Sequence, residues 1–306
     1  MTGVLTGFSI IGVVIAVGYL IARIGLVGLE GRTVLSRIAF FVTTPALMFT
    51  VLAQADITLL FSTFLLTSLA TVLVVAALYV LASRLFFRRP VAETTVGAAA
   101  SSYVNANNIG LPVAIYVLGD PQWVAPTLLL QLLVLAPLTL SVLDVSTSGS
   151  VSVRSILTQP LRNPMIIASA LGVVIALLGI QLPAPVLQPF QIIGNASIPL
   201  VLMSFGMSLR GQRPLQAGSG RADVLTASML KSVAMPAVAY VLGRFVFGLD
   251  DEHVFAVTVT AALPTAQNIY NFAARYDRGV AVARDTALVT TITAVPVLIA
   301  VALLLG

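Results

Sequence analysis

Apolar residues run along the chain in stretches of about 20, the length a helix needs to cross a bilayer, separated by short polar punctuation. Ten such stretches are drawn, at residues 2–22, 34–54, 57–83, 94–119, 122–143, 163–181, 187–209, 222–247, 253–275 and 280–305. The uncharged run from Asn163 to Leu209 would pass for one very long helix. Three prolines in Gln181-Leu-Pro-Ala-Pro-Val-Leu-Gln-Pro189 interrupt it, because proline lacks the amide proton that a helix interior requires, so spans six and seven part there. The most loop-like segment, Ser146 to Ser152, lies near the midpoint and divides the chain into 1–150 and 151–306, with five spans each. The pattern predicts an all-α polytopic membrane protein.

Composition agrees, since 306 residues of which 58% are apolar and 9% charged cannot cover a water-soluble surface. The apolar amino terminus has neither a basic leader nor a small-residue cleavage site and reads as a retained helix. The net charge of +5 is not a nucleic-acid footprint, because the basic residues are thinly spread rather than clustered. On the ten-span map every one of the 16 Lys and Arg residues except Arg244 falls on the side of the odd-to-even loops. The opposite loops carry Asp56, Asp120, Asp250, Asp251 and Glu252. The positive-inside rule makes the basic side cytoplasmic and places both termini outside, in a multi-pass protein of the cell (inner) membrane. Adding or removing one span would scramble this bias downstream. Trp123, at the outer start of span five, fits an interfacial anchor.

Five spans is an odd number, so the second half enters the membrane inverted relative to the first. Traces of the repeat survive. Span two contains Thr44-Pro45-Ala46-Leu47-Met48-Phe49 and span seven Ile198-Pro199-Leu200-Val201-Leu202-Met203, with the two prolines 154 residues apart. Ala106-Asn107-Asn108-Ile109-Gly110 in span four matches Ala266-Gln267-Asn268-Ile269-Tyr270 in span nine at an offset of 160. Asn105, Asn107 and Asn108 stand mid-span beside Gly110 and Pro112; Pro264, Thr265, Gln267, Asn268 and Asn271 occupy span nine. Carboxamides in hydrocarbon are costly unless paired, and Pro or Gly there frees backbone groups that need partners. Two interrupted helices crossing near the midplane would meet both needs, with half-helix amino termini presenting positive dipole ends to an anion and the amides acting as neutral donors. Amides that merely join helices are the alternative, and the matched clusters in both halves favour a site.

These residues resemble the auxin efflux carrier family, which includes plant auxin carriers and bacterial permeases for malonate or malate. The resemblance covers nearly the whole chain. It rests on Asn105-Ala-Asn-Asn-Ile-Gly-Leu-Pro112, on Leu161-Arg-Asn-Pro164, on Ile198-Pro-Leu-Val-Leu-Met-Ser-Phe-Gly-Met-Ser-Leu209, and on Ala262-Leu-Pro-Thr-Ala-Gln-Asn268 followed by Ala274-Arg-Tyr276, all in the family's order. It implies a fold shared with bile-acid sodium symporters, in which spans one, two, six and seven form a scaffold and the other six a transport domain that moves as an elevator. It also implies a homodimer through the scaffold. Mapped by motif, the anion-binding residues are Asn105, Asn107 or Asn108 and Gln267 or Asn268, joined by Thr265. Gly110, Pro112 and Pro264 make the breaks, and Pro45 and Pro199 lie on the scaffold side. One departure concerns sodium: where bile-acid symporters place an acidic ligand near the span-nine crossover, this segment offers only Thr265, Gln267, Asn268 and Asn271. Neutral oxygens leave sodium coupling open, as is proton coupling. The long central loop of the plant members is here reduced to about twenty residues.

Lys231 is the only charge well inside an apolar run, about 12–15 Å from the inner end of span eight. It either attracts the anion, cycles a proton, or snorkels to the cytoplasmic headgroups, which is the favoured reading. Asp56, Asp144, Asp277 and Asp285 lie near helix ends, where solvated caps or salt bridges are expected. Gly3 and Gly7 form a weak GxxxG dimer signal. Tyr103 and Tyr270 flank the polar clusters and either line a cavity or pack. There is no cysteine and a single histidine, His253, so neither a metal site nor a cofactor is expected. No HExxH, GxSxG or mid-membrane carboxylate pair supports an enzyme. The sequence therefore predicts a secondary transporter for a small organic anion, a mono- or dicarboxylate, embedded in membrane lipid. The alternatives are a sodium-coupled symporter of the bile-acid type and a membrane sensor that binds without transporting.

Overall fold

The computed structural model describes residues 2–27, 30–55, 63–148, 163–211, 215 and 220–306. Helices account for its regular structure, and the β pairing among these residues is one isolated antiparallel bridge. In chain order the helices are α1 (Thr2–Ile24), α2 (Gly31–Ala53), α3 (Thr63–Phe87), α4 in two pieces (Val91–Ser102, and 106–116, in which a π-type turn Ala106–Gly110 runs into Leu111–Tyr116), α5 (Pro121–Thr147), α6 (Pro164–Leu177), α7 (Ala184–Ser208), α8 (Arg221–Val246), α9 in two pieces (Asp251–Ala262 and Gln267–Tyr276), and α10 (Val280–Leu305). Six of them, α2, α3, α5, α7, α8 and α10, are long and apolar enough to cross a membrane.

Hydrocarbon solvent offers no hydrophobic drive between helices, so association rests on close packing and buried hydrogen bonds. Helices α1, α2, α6 and α7 pack on one another in this way. Gly18 on α1 lies against the carbonyl of Met203 on α7, and Gly206 on α7 lies against the carbonyl of Ile15 on α1, so any side chain at either glycine would collide with backbone. The hydroxyls of Thr44 on α2 and Ser197 on α7 meet at 2.7 Å, both fully buried. The repeat-matched Pro45 and Pro199 thus stand on segments that touch. A second group, α3, α4, α8, α9 and α10, is also mutually packed. Its cytoplasm-side edge in the sequence reading is pinned by Arg89, whose guanidinium holds the buried Asp223 carboxylate at 2.9 and 3.3 Å.

Several expectations are corrected. Spans six and seven part at residues 178–183, but Pro185 and Pro189 do not stop the helix: Pro183 caps α7, Pro185 occupies its first turn where the missing amide proton is harmless, and Pro189 sits inside it. Ser146 and Thr147 continue α5 rather than opening a loop. Trp123 is buried, stacked edge-on against His253 at 5.0 Å and tilted against Phe64 at 5.8 Å, not set as an outward anchor. Gly7 backs onto the carbonyl of Tyr116 in α4, so this half of the GxxxG is used within the chain. Of the two roles expected for Asp285 the structure has the salt bridge: the carboxylate is fully buried, paired with Arg284 at 2.7 Å and bound by the Leu215 amide at 3.1 Å. Asp144 accepts from the Tyr276 hydroxyl at 2.6 Å, and Asp277 ends α9 in a left-handed conformation. Asp56, Arg154, Arg162, Arg213 and residues 149–152 lie outside the described residues.

Candidate substrate site

The two pieces of α4 are joined by extended backbone at Tyr103–Asn105, and the two pieces of α9 by Leu263–Ala266. These segments cross. Val104 and Thr265 form the antiparallel bridge, with the Asn105 amide donating to the Pro264 carbonyl at 2.8 Å and the Ala266 amide to the Tyr103 carbonyl at 3.1 Å. Each interruption therefore supplies partners for the backbone groups that the other exposes, which is what broken helices at membrane depth require. Pro264 lies in its break, as expected. Gly110 and Pro112 do not: the break in α4 precedes them, and Pro112 falls in the first turn of Leu111–Tyr116.

Side chains complete the junction. Thr265 donates to the Ala100 carbonyl at 2.6 Å and its own amide donates to the Thr290 hydroxyl at 3.0 Å, so its hydroxyl is committed to the crossing rather than open to a ligand. Gln131 on α5 donates to the Val104 carbonyl at 2.8 Å and accepts, through its backbone carbonyl, from the Tyr103 hydroxyl at 3.2 Å. On the far side, Lys231 is fully buried and donates to the Ala261 carbonyl at 2.7 Å. It does not snorkel. Gln131, Lys231, Asn107 and Asn108 all sit on widened π-type turns, at Gln131–Leu135, Leu230–Ala234 and Ala106–Gly110, a local geometry that recurs at functional positions.

The amides gather at the start of the second pieces. Asn105 caps its piece by accepting from the Asn108 amide at 3.1 Å, and Asn107 donates to the Asn108 side chain at 3.0 Å. Asn105 Nδ2 and Asn107 Oδ1 are buried without a hydrogen-bond partner among the described residues. Gln267 reaches Ser208 on α7 at 3.4 Å, and Asn268 is exposed. Several first-turn amides are capped locally, Ala106 by the Val104 carbonyl and Asn108 by the Asn105 side chain, and the positive dipole ends of both second pieces lie at the same space.

That space is a cavity of about 840 Å³ lined by Asn105, Asn107, Asn108, Gln267 and Asn268, and by Tyr103 and Tyr270. Away from the crossing its walls come from the starts of α2, α6 and α10 and the ends of α5, α7 and α9, all on the arginine-rich side. Among the described residues Arg32, Arg37 and Arg284 line it and no carboxylate does. Pro45, Pro199, Thr265, Gly110, Pro112 and Lys231 stand outside the lining. Gln131 and Ser208, which do line it, were not singled out from the sequence; a lone Gln within an apolar span was the one available signal.

The family model described as "Membrane transport protein" matches residues 4–155 and 150–301. A Rhizobium meliloti (strain 1021) protein named "Putative malonate transporter" is 28% identical over 291 residues, covering 92% of this chain and 89% of its own. An uncharacterized transporter of Escherichia coli (strain K12) is 22% identical over 276 residues, covering 87% and 86%. Another, from Methanocaldococcus jannaschii, is 22% identical over 293 residues, covering 92% of each chain. Matching of the family model over both halves, with several long apolar helices beneath it, makes the chain a multi-pass member of the membrane transport protein family, the auxin efflux carriers.

Proposed function

We propose that the protein is a secondary transporter that moves a small organic anion, a mono- or dicarboxylate, bound where α4 and α9 cross. The observation that carries this reading is the paired interruption itself: two positive helix ends and the carboxamides of Asn105, Asn107, Asn108, Gln267 and Asn268 meet at a cavity whose wall, among the described residues, holds three arginines and no acid. A carboxylate would accept from Asn or Gln side chains at the positive ends of the two helix pieces without needing a buried counter-charge in direct contact. The relative named for malonate supports a short dicarboxylate.

The inverted-repeat arrangement of ten spans draws support from the meeting of repeat-matched segments, Thr44 with Ser197 and Val104 with Thr265. In this reading α1, α2, α6 and α7 are the scaffold and the remaining helices carry the site past it, with the cavity open to the cytoplasm. Uptake into proteoliposomes of the purified chain tests it, using labelled malonate, malate and a panel of monocarboxylates under imposed sodium, proton or voltage gradients. Saturable movement of at least one carboxylate is expected. If one binds while none moves under any gradient, the transport reading fails in favour of a sensor.

A further inference from the structure

The carbonyl of Ala261, in the last turn of the first α9 piece, would in an unbroken helix accept from the amide of residue 265. That amide instead donates to the Thr290 hydroxyl, and the next one, Ala266, donates to Tyr103. The break therefore leaves a carboxyl helix end, the negative pole of its dipole, deep in the protein. In α4 a carbonyl of the matching last turn, Ala100, is satisfied by a neutral hydroxyl from Thr265. In α9 the partner is a lysine: Lys231 Nζ lies 2.7 Å from the Ala261 oxygen and 3.1 Å from the Met235 sulfur, with no exposed surface. Among the described residues no carboxylate pairs with it.

A charged group this deep is expensive to bury, and a hydroxyl suffices for a carbonyl in the last turn of the first α4 piece, so stability alone does not account for lysine here. We propose that Lys231 is a positioning residue with a built-in counter-charge: it fastens the carboxyl end of the first α9 piece and supplies, from behind the crossing, the positive charge that an anion on the other side requires. Binding then needs no dissolved cation. The inference rests on the transport reading above and goes beyond it by naming the source of charge compensation.

The experiment uses the full chain in proteoliposomes with labelled malonate as probe. For the wild type, replacing all Na+ and K+ by choline leaves the KM within about twofold. For K231M, similar in volume but neutral, the KM rises at least about tenfold while the protein still elutes as a single folded species; K231R, which keeps the charge, stays within about threefold. A wild-type KM that rises more than about tenfold in choline overturns the proposal, as does an unaltered KM in K231M. Should K231M fail to fold, the choline experiment on the wild type decides alone. A wild type that moves no labelled carboxylate in any medium is a distinct outcome, which overturns the transport reading and this inference together.

Discussion

The side-chain amide of Gln131 donates to the carbonyl of Val104 at 2.8 Å, so a residue on α5 holds the extended backbone at which α4 is interrupted. Replacing it by leucine keeps the volume but strands that carbonyl in the interior. Gln131→Leu is expected to lower stability by about 1–3 kcal/mol. Thermal unfolding in detergent measures this directly. Uptake should fall with it if, as proposed, the anion binds at the crossing.

Asn108 and Asn268 occupy the first turns of the two second pieces and face the cavity. Neither side chain is needed to close the crossing, so Asn108→Ala and Asn268→Ala are each expected to change stability by no more than about 0.5 kcal/mol. Transport should be abolished with membrane insertion intact, as read by surface labelling alongside uptake. Wild-type rates in both variants would remove these residues from the site.

Arg32 and Arg37 stand along the cavity on the way to the crossing. Their charge acts over distance and through water, so the effect of R32Q or R37Q should depend on salt. An increase in KM of about three- to tenfold at low ionic strength is expected, shrinking toward the wild-type value near 0.5 M salt as screening shortens the field. A loss that persists unchanged at high salt would mean that the arginine contacts the anion directly.

Arg89 covers a carboxylate that is otherwise sealed in: Asp223 is buried while the Arg89 side chain is 42% exposed. Removing the arginine leaves the buried charge uncompensated, at a cost of about 1–3 kcal/mol once the half-exposed partner is discounted for solvent. R89A with D223N should cost less than the sum of the two single changes. A double-mutant cycle on unfolding midpoints supplies the comparison.

What was legible in the sequence was whatever a local pattern can carry. Apolar runs located the long helices, and the matched Asn-Gln clusters pointed to the segments that meet at Val104 and Thr265. The position of the α4 break was misjudged because Gly110 and Pro112 were the visible helix breakers. The actual break at Tyr103–Asn105 is set by hydrogen bonds to Pro264 and Ala266, some 160 residues away, which no local signal encodes. Thr265 was misassigned for the same reason, its hydroxyl being spent on Ala100. Depth in the apolar run marked Lys231 as unusual, but only the packing of α8 on α9 decides that its ammonium turns inward to Ala261 rather than along the helix to the headgroups.

The bridge between Val104 and Thr265 also constrains how specificity can change. Two backbone hydrogen bonds, Asn105 to Pro264 and Ala266 to Tyr103, tie residues 103–105 to 264–266, so the shape of each segment depends on the other. The two behave as one recognition loop that happens to be encoded in two places. Exchanging one segment for a relative's while keeping the other mismatches the pairing before it alters the preference for an anion. Selectivity in this chain is therefore inherited, or re-engineered, as a matched pair.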